Sequence, residues 1–426
     1  MSAVKLYRSY WTNFRQETIT FPERWDVEVF SMEGAERQEA SLQDIRSSIE
    51  NPIGTPSLRE ISKGRRDAVI VFDDISRPTK TEEIVPFVLT ELRSAGMKDE
   101  NIHFVCALGA HGAHTRAEFL KKLGKGIVGN FKVYNHNPFI NCDYIGTTRY
   151  GTKVSVNREV LNHDVKIGIG CILPHQITGF SGGGKLFVPG VAGIETIEQN
   201  HGVLLRKMTL RKAGNHGNRS SVFWKEDDNI IRNDIDEAVR MIGVDFMINV
   251  LVNGRGQTVE VYAGDYTKYM PRALEAAKGL YRTRPMRNKR KVVILNVLLK
   301  ANEAFVASLL GRLALHEEGG TVVIVTDSYT GQTIHYLTGS FGKYSKGNLY
   351  LTSRCPKNLR QLIILTENAE KASEDWFVSP EKGIVWTDNW EAVFREIEQE
   401  YPHGVIETAV FPNASVQYYP DYEVFV

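Results

Sequence analysis

Residues 68–72, Ala-Val-Ile-Val-Phe, form an unbroken apolar run with no polar position to turn toward water. A strand of that kind is buried on both faces, as the strands of a parallel sheet are. The run ends in Asp73-Asp-Ile-Ser-Arg-Pro-Thr79, and the pattern beyond it predicts a helix over 81–95. A second run, 102–108, ends in Gly109-Ala-His-Gly-Ala-His114 and leads into a helix from about 116 to 123. Strands near 132–134 and 166–172 continue the alternation. Strand, loop, helix, strand is the pattern of βαβ units, so the fold class expected is α/β. Ligands of open α/β sheets gather at the carboxyl ends of the strands. The loops 73–79, 109–114 and 174–185 all lie at such ends.

The alternation breaks around 273–291, where the arginine-rich stretch 282–291 reads as a solvated connector and a domain boundary. Beyond it, runs at 292–297, 321–326 and 362–365 read as parallel strands, with a helix over about 302–316. The first sixty residues carry weaker signals, strand-like at 4–7 and 26–30 and helical at 42–49. The expected division is an N-terminal α/β domain over 1–275, a smaller C-terminal α/β domain over 276–405, and a strand-like tail, 406–426, returning to the N-terminal domain. Two α/β domains with mostly parallel sheets then place an active site in the cleft between them.

Composition excludes several classes. The 52 basic and 51 acidic residues of this 426-residue chain nearly cancel, so no global field recruits nucleic acid or an anionic membrane. No apolar run approaches membrane-spanning length. The start lacks the apolar core of a signal peptide. Four cysteines stand without a C-x-x-C pair, which fits a reducing compartment and argues against a disulfide framework. The location expected is the cytoplasm.

The stretch most suggestive of chemistry is Gly179-Phe-Ser-Gly-Gly-Gly-Lys185, with Pro189-Gly190 and His201 following. Consecutive glycines leave backbone N–H groups open to an anion, and Lys185 brings an amine to the same place. A phosphate-binding P-loop needs a hydroxyl after the lysine and a helix at once, and here Leu186 and Pro189 stand in the way. A phosphate- or nucleotide-dependent enzyme using this loop as an electrostatic clamp is the alternative within enzymes. Of eleven histidines, His111, His175 and His201 lie on or just after strand-end loops. His103, His136, His163, His216, His316, His335 and His403 have no such context and are taken as surface or satisfied core residues. In 74–79, Asp74 and Arg77 read either as a capped turn or as an acceptor and a forked donor for a bound anion.

Taken together, Asp74-Ile-Ser-Arg-Pro-Thr79, Ala107-Leu-Gly-Ala-His111, Pro174-His175 with Gly179 through Lys185, Pro189-Gly190 and Asn200-His201 resemble the nickel-dependent lactate racemase family in order and spacing. The resemblance covers roughly residues 65–205. It implies a racemase or epimerase of a 2-hydroxy acid that works by hydride transfer. The implied cofactor is a nickel pincer, pyridinium-3,5-bisthiocarboxylate mononucleotide, tethered to Lys185, with His201 as nickel ligand. Asp74, Ile75, Ser76 and Arg77 match positions that contact its nucleotide part, and His111 and His175 match the two general acid/bases. Enzymes that make the cofactor are the implied partners.

The match weakens at 296–308. Family members specific for lactate carry Gly-Tyr-Pro-x-Asp-x-Asn-x-Tyr-Gln-x-x-Lys, whose Gln and Lys hold the substrate carboxylate. Here only Asn302 persists, and Phe305 and Ser308 stand where those residues would be. The substrate expected is therefore a 2-hydroxy acid other than lactate, with Arg77, Lys300, Phe305 and Trp376 as candidate contacts. A cofactor-binding relative with altered catalysis is the reading from outside the enzymes.

Overall fold

The computed structural model describes residues 2–208, 229–342, 345, 357–377 and 380–419. The chain divides into two compact units. One comprises Glu36–Leu280 and Ile334–Leu349, and the other Met1–Ala35, Tyr281–Thr333 and Tyr350–Val426, each over its described residues.

The first unit is built on a six-stranded sheet. In chain order its strands are β1 (Ala68–Asp73), β2 (Ile102–Ala107), β3 (Lys132–Asn135), β4 (Val165–Cys171), β5 (Phe246–Val252) and β6 (Thr258–Gly264). Their spatial order is β6-β5-β4-β1-β2-β3, and all pairs are parallel except β5 with β6. The apolar run that predicts β1 is buried at every position, with β4 and β2 flanking it. The loops after β1, β2 and β4 thus leave the carboxyl ends of three adjacent strands, where a ligand site is expected.

The helix Thr81–Ser94 matches its expected span, with Glu82 and Glu83 in the first turn opposing the helix dipole. The helix Arg116–Asn130 opens with a capping box between Thr115 and Glu118. Its pattern breaks near 123 because Gly124 leaves helical geometry at φ 76°, after which the helix resumes. Just before the break, Lys122 is fully buried. Its Nζ donates to Asp73 Oδ1 at 2.6 Å, to the Thr79 carbonyl at 2.9 Å and to the Arg77 carbonyl at 3.2 Å. Burial pushes the Asp73 carboxyl up against the pull of Lys122. The pair fixes the 73–79 loop to the helix beside it.

The second unit contains a six-stranded, all-parallel sheet in the order Ile384–Thr387, Leu359–Leu365, Gly320–Val325, Val292–Asn296, Ile406–Phe411, Trp25–Val29. This corrects two assignments made from sequence. The tail does not return to the first unit, because Ile406–Phe411 is an inner strand of the second sheet. Its apolar residues, Ile406, Ala409, Val410 and Phe411, are fully buried and need both faces covered. The first 35 residues also belong here rather than to the N-terminal domain. The hairpin of Ala3–Arg8 and Arg15–Thr20 contributes Val4, Leu6 and Ile19 to the core formed with Val292, Ile294, Val323 and Ile363. The basic stretch after 281 is anchored rather than loose, since Arg284 and Arg290 both pair with Glu28. The helix expected over 302–316 is split into a tight 3₁₀ segment, Ala301–Ala307, and an α-helix, Ser308–Ala314. Among the described residues, no helix is long and apolar enough to cross a membrane.

Candidate functional site

Three loops of the first unit carry the candidate residues. In the loop after β1, the Asp74 side chain turns back to accept from the Ser76 N–H at 3.1 Å and from the Ser76 hydroxyl. Arg77 Nη1 donates to the Ser76 hydroxyl at 2.7 Å and to the Ser76 carbonyl at 3.0 Å. The other carboxylate oxygen of Asp74 meets His111 Nδ1 at 2.6 Å. Burial by itself would push Asp74 up, but His111, His114 and Arg77 hold it well below the usual carboxylate range. An ionised Asp74 assigns the proton to His111 Nδ1 and leaves Nε2 as the basic nitrogen.

The local turn expected of Asp74 is present in its bond from the Ser76 N–H, and the same carboxylate also faces His111. Ile75 takes part through its backbone, its N–H donating to His114 Nε2 at 3.1 Å. Burial lowers the proton affinity of His114, in keeping with that accepting role. His114 thus supports the loop beside it.

His175 sits in a short hairpin, Pro174–His175 against Gly179–Phe180. Its Nδ1 accepts from the backbone N–H groups of Ile177 at 3.1 Å and Thr178 at 3.3 Å. A nitrogen that accepts two N–H groups carries no proton, so the neutral ring bears its hydrogen on Nε2. His111 and His175 therefore present opposite characters, an acceptor and a donor.

The glycine loop is not an open anion cradle. Gly183 N–H donates to Asn249 Oδ1 at 2.9 Å and Lys185 N–H to the Gly182 carbonyl at 3.3 Å. The glycines serve close packing instead. Gly182 has φ 80°, and a side chain there would meet Ile172 at 2.6 Å. Any side chain on Gly190 would collide with the Leu186 carbonyl at 1.8 Å. Two of the loop's backbone donors are committed within the protein.

Lys185 Nζ lies 3.1 Å from His201 Nε2. His201 is not at the end of a plain short helix: Ile194–Ile197 widens into a π-type segment, Glu198–Leu204, that holds it. Such widenings recur at functional positions. Asn200 Nδ2 donates to Asp234 Oδ2 at 2.6 Å and to the Ile231 carbonyl at 3.2 Å, which fixes the amide orientation. Asn200 Oδ1 then accepts from His201 Nδ1 at 2.7 Å. Burial, followed by Lys185 and His335, drives the His201 proton affinity well below its ordinary value. His201 is therefore neutral, protonated on Nδ1, with its Nε2 lone pair facing the lysine amine.

Sequence reasoning missed His335. It pairs with His111 as an isolated antiparallel bridge, and the two rings lie 5.1 Å apart. The Gly112 N–H donates to the Ile334 carbonyl at 2.9 Å and the Tyr336 N–H to the Ala110 carbonyl at 2.8 Å. A segment more than two hundred residues downstream thus braces the 109–114 loop. The accessible signal was a single histidine in a polar loop, too weak to separate from the others. His136 does conform to expectation, as a buried histidine bonded to the Ala192 carbonyl and Asn157 and pushed down to about 4 by burial. His216 lies outside the described residues.

The remaining candidates lie in the second unit. Lys300 Nζ is committed to Glu303 Oε2 at 2.9 Å, both side chains buried. Phe305 and Trp376, distant in sequence, pack together with ring centroids 4.5 Å apart. Ser308 Oγ donates to the Phe305 carbonyl at 2.6 Å, and Asn302 is buried.

Residues 13–212 match the family described as the lactate racemase N-terminal domain. The lactate racemase of Thermoanaerobacterium thermosaccharolyticum is 30% identical over 241 residues, covering 56% of this chain and 54% of that protein. That of Lactiplantibacillus plantarum is 26% identical over 300 residues, covering 68% of this chain and 66% of the relative. The matches thus span about half to two thirds of the curated relatives' length. In three dimensions the chain resembles the lactate racemase apoprotein of T. thermosaccharolyticum, with a TM-score of 0.70 and 19% identity over 98% of this chain and all of that one. A Thermotoga maritima protein follows at TM-score 0.63 and 16% identity, over 90% of this chain and 100% of that one. These structural likenesses speak to the fold, and the sequence matches to descent. Over residues 13–212 the chain is similar to the lactate racemase N-terminal domain, and its fold is similar to that of a lactate racemase apoprotein.

Proposed function

We propose that this protein racemises or epimerises a 2-hydroxy acid with a nickel-pincer nucleotide, pyridinium-3,5-bisthiocarboxylate mononucleotide, carried on Lys185. The observation that carries this reading is the pairing of Lys185 Nζ with the lone pair of a neutral, buried His201 at 3.1 Å. A metal ligand must be unprotonated at the coordinating nitrogen, and a bond from the other ring nitrogen orients it. Asn200 and Asp234 supply that orientation. A tether and a prepared ligand side by side suit a metal-bearing group attached at the lysine. Asp74, Ile75, Ser76 and Arg77 would hold the nucleotide part, Arg77 as the forked donor to a phosphate.

When bound, the cofactor supplies a reversible hydride acceptor, which spares the enzyme from forming a carbanion beside a carboxylate. The protein's part is proton transfer and positioning. His111 Nε2, made basic by the Asp74 carboxylate on Nδ1, takes the substrate hydroxyl proton as the alcohol is oxidised. His175, in its resting tautomer, donates from Nε2 to a substrate oxygen. To act as base for the opposite enantiomer it must protonate Nδ1 and give up the bonds from Ile177 and Thr178. Both histidines are general acid/bases in this reading, but the resting pair is unequal. His335 steadies the His111 loop through its backbone bridge and adds to the electrostatic cost of charging His201.

The substrate is proposed to be other than lactate. Phe305 and Ser308 replace the family's amide and ammonium, and Lys300 is already paired with Glu303. The Phe305–Trp376 pair offers an apolar surface suited to a larger side chain.

The direct test is peptide mass spectrometry of protein expressed beside the cofactor-making enzymes. Added mass on Lys185, lost in Lys185→Ala, is the expected result. Fully active protein with an unmodified Lys185 would overturn the tether.

A second expectation concerns pH. Asp74→Asn removes the negative charge beside the His111 ring and weakens the ring's hold on a proton. The base then stays deprotonated to lower pH, so the acidic limb of kcat/KM moves down. The rate falls by about 10²-fold or more. An acidic limb that stays in place would separate Asp74 from the base.

Across a panel of 2-hydroxy acids, acids with bulkier side chains should give higher kcat/KM than lactate. Loss of the charged donor alone costs about 1.5–3 kcal/mol, roughly tenfold or more in affinity. Lactate as the best substrate would refute this reading of 300–308.

A further inference from the structure

We propose that His103, Glu159 and His163 form a divalent-cation site of zinc type, separate from the Lys185–His201 site. The three residues come from two elements. His103 is the second residue of β2, at the end opposite the 109–114 loop. Glu159 lies on the short helix Arg158–Asn162, and His163 follows its last residue, so the two are four residues apart on one helical face. Asn157 caps that helix by accepting from the N–H groups of Glu159 at 2.9 Å and Val160 at 3.4 Å.

One potential ligand atom from each residue lies within 4.8 Å of the other two. His103 Nδ1 and Glu159 Oε1 are 2.6 Å apart, and the two imidazole rings are 4.6 Å apart. His163 Nδ1 donates to the Glu159 backbone carbonyl at 2.6 Å. A ring N–H held by a backbone carbonyl is the support that metal-binding histidines ordinarily have, and it leaves Nε2 unprotonated. Sequence reading placed both histidines among the background residues, and no other role for this cluster emerges from the proposed chemistry.

Two imidazole nitrogens and one carboxylate oxygen are a borderline donor set that suits Zn²⁺, with a fourth position left to water. Bonds of about 2.0–2.1 Å in a tetrahedral site put ligand atoms roughly 3.3 Å apart, so modest convergence is needed. Glu159, whose side chain is 41% exposed, is free to supply that movement. The ion takes the place of the proton held between His103 Nδ1 and Glu159, and the neutral ring then carries its hydrogen on Nε2. Asp67 lies within electrostatic reach of His163 and favours a cation, and the Tyr134 ring packs edge-on to His103. Lys166 is the opposing charge nearby, with its amine on the His163 carbonyl at 2.8 Å.

The test uses the full-length protein expressed without cofactor-making enzymes, stripped with chelator and titrated with Zn²⁺ calorimetrically. One equivalent should bind, and His163→Ala and Glu159→Gln should each weaken it at least tenfold. Visible spectra of the Co²⁺ form should show a tetrahedral band that the same variants lose. Should His163→Ala fail to fold, His103→Gln gives the same comparison. His201→Ala, which alters only the other site, should keep the Zn²⁺ affinity. No binding by the unmodified protein, affinity unchanged in the variants, or loss confined to His201→Ala would each overturn the proposal. Because none of these readouts needs the loaded enzyme, the result stands apart from the test of the racemase reading.

Discussion

The path Asp234–Asn200–His201 is the constraint on which the site depends. Asp234 accepts from Asn200 at 2.6 Å and from Thr152 at 2.8 Å, so the carboxylate is satisfied inside the protein. That fixes which face of the Asn200 amide meets His201 and hence which ring nitrogen carries the proton. Burial and the neighbouring Lys185 keep the ring neutral. An imidazole without these neighbours would exchange tautomers and take up a proton near neutral pH. Here the protein has settled both choices before any ligand arrives.

The same logic appears in the loop after β1. Lys122 pins the loop from beneath through Asp73, and Asp74 then faces the 109–114 loop with a fixed charge. A buried ion pair of this kind is costly to break, because either partner alone would be an uncompensated charge. Its contribution is positional. It holds one carboxylate and two carbonyl groups of one loop against a helix, so the His111 partner stays in place.

Much of this was legible in sequence, for physical reasons that differ by element. The central strand β1 was readable because a parallel strand buried on both faces leaves a continuous apolar run. The loops with Asp74, His111, His175 and Lys185 were readable because chemistry-bearing residues stood at strand ends in a family's order. The placement of Trp25–Val29 and Ile406–Phe411 in one sheet was not, because strand periodicity carries no information about which distant strand is the neighbour. His335 escaped for the same reason, its bridge to His111 spanning 224 positions. Lys122 was not singled out, since nothing local marks a lysine whose partner lies on another element. The glycines at 182–184 were read as an anion cradle, and the structure gives them a packing role that composition could not distinguish.

In the function proposed, the protein prepares His201 as a ligand before the cofactor is attached. The most direct measurement is the ¹⁵N NMR signature of His201 in cofactor-free protein, assigned by comparison with His201→Gln. A neutral ring protonated on Nδ1 at pH 7, remaining so well below pH 6.5, is the predicted result. A ring protonated on Nε2, or an imidazolium already formed at pH 6.5, would contradict it.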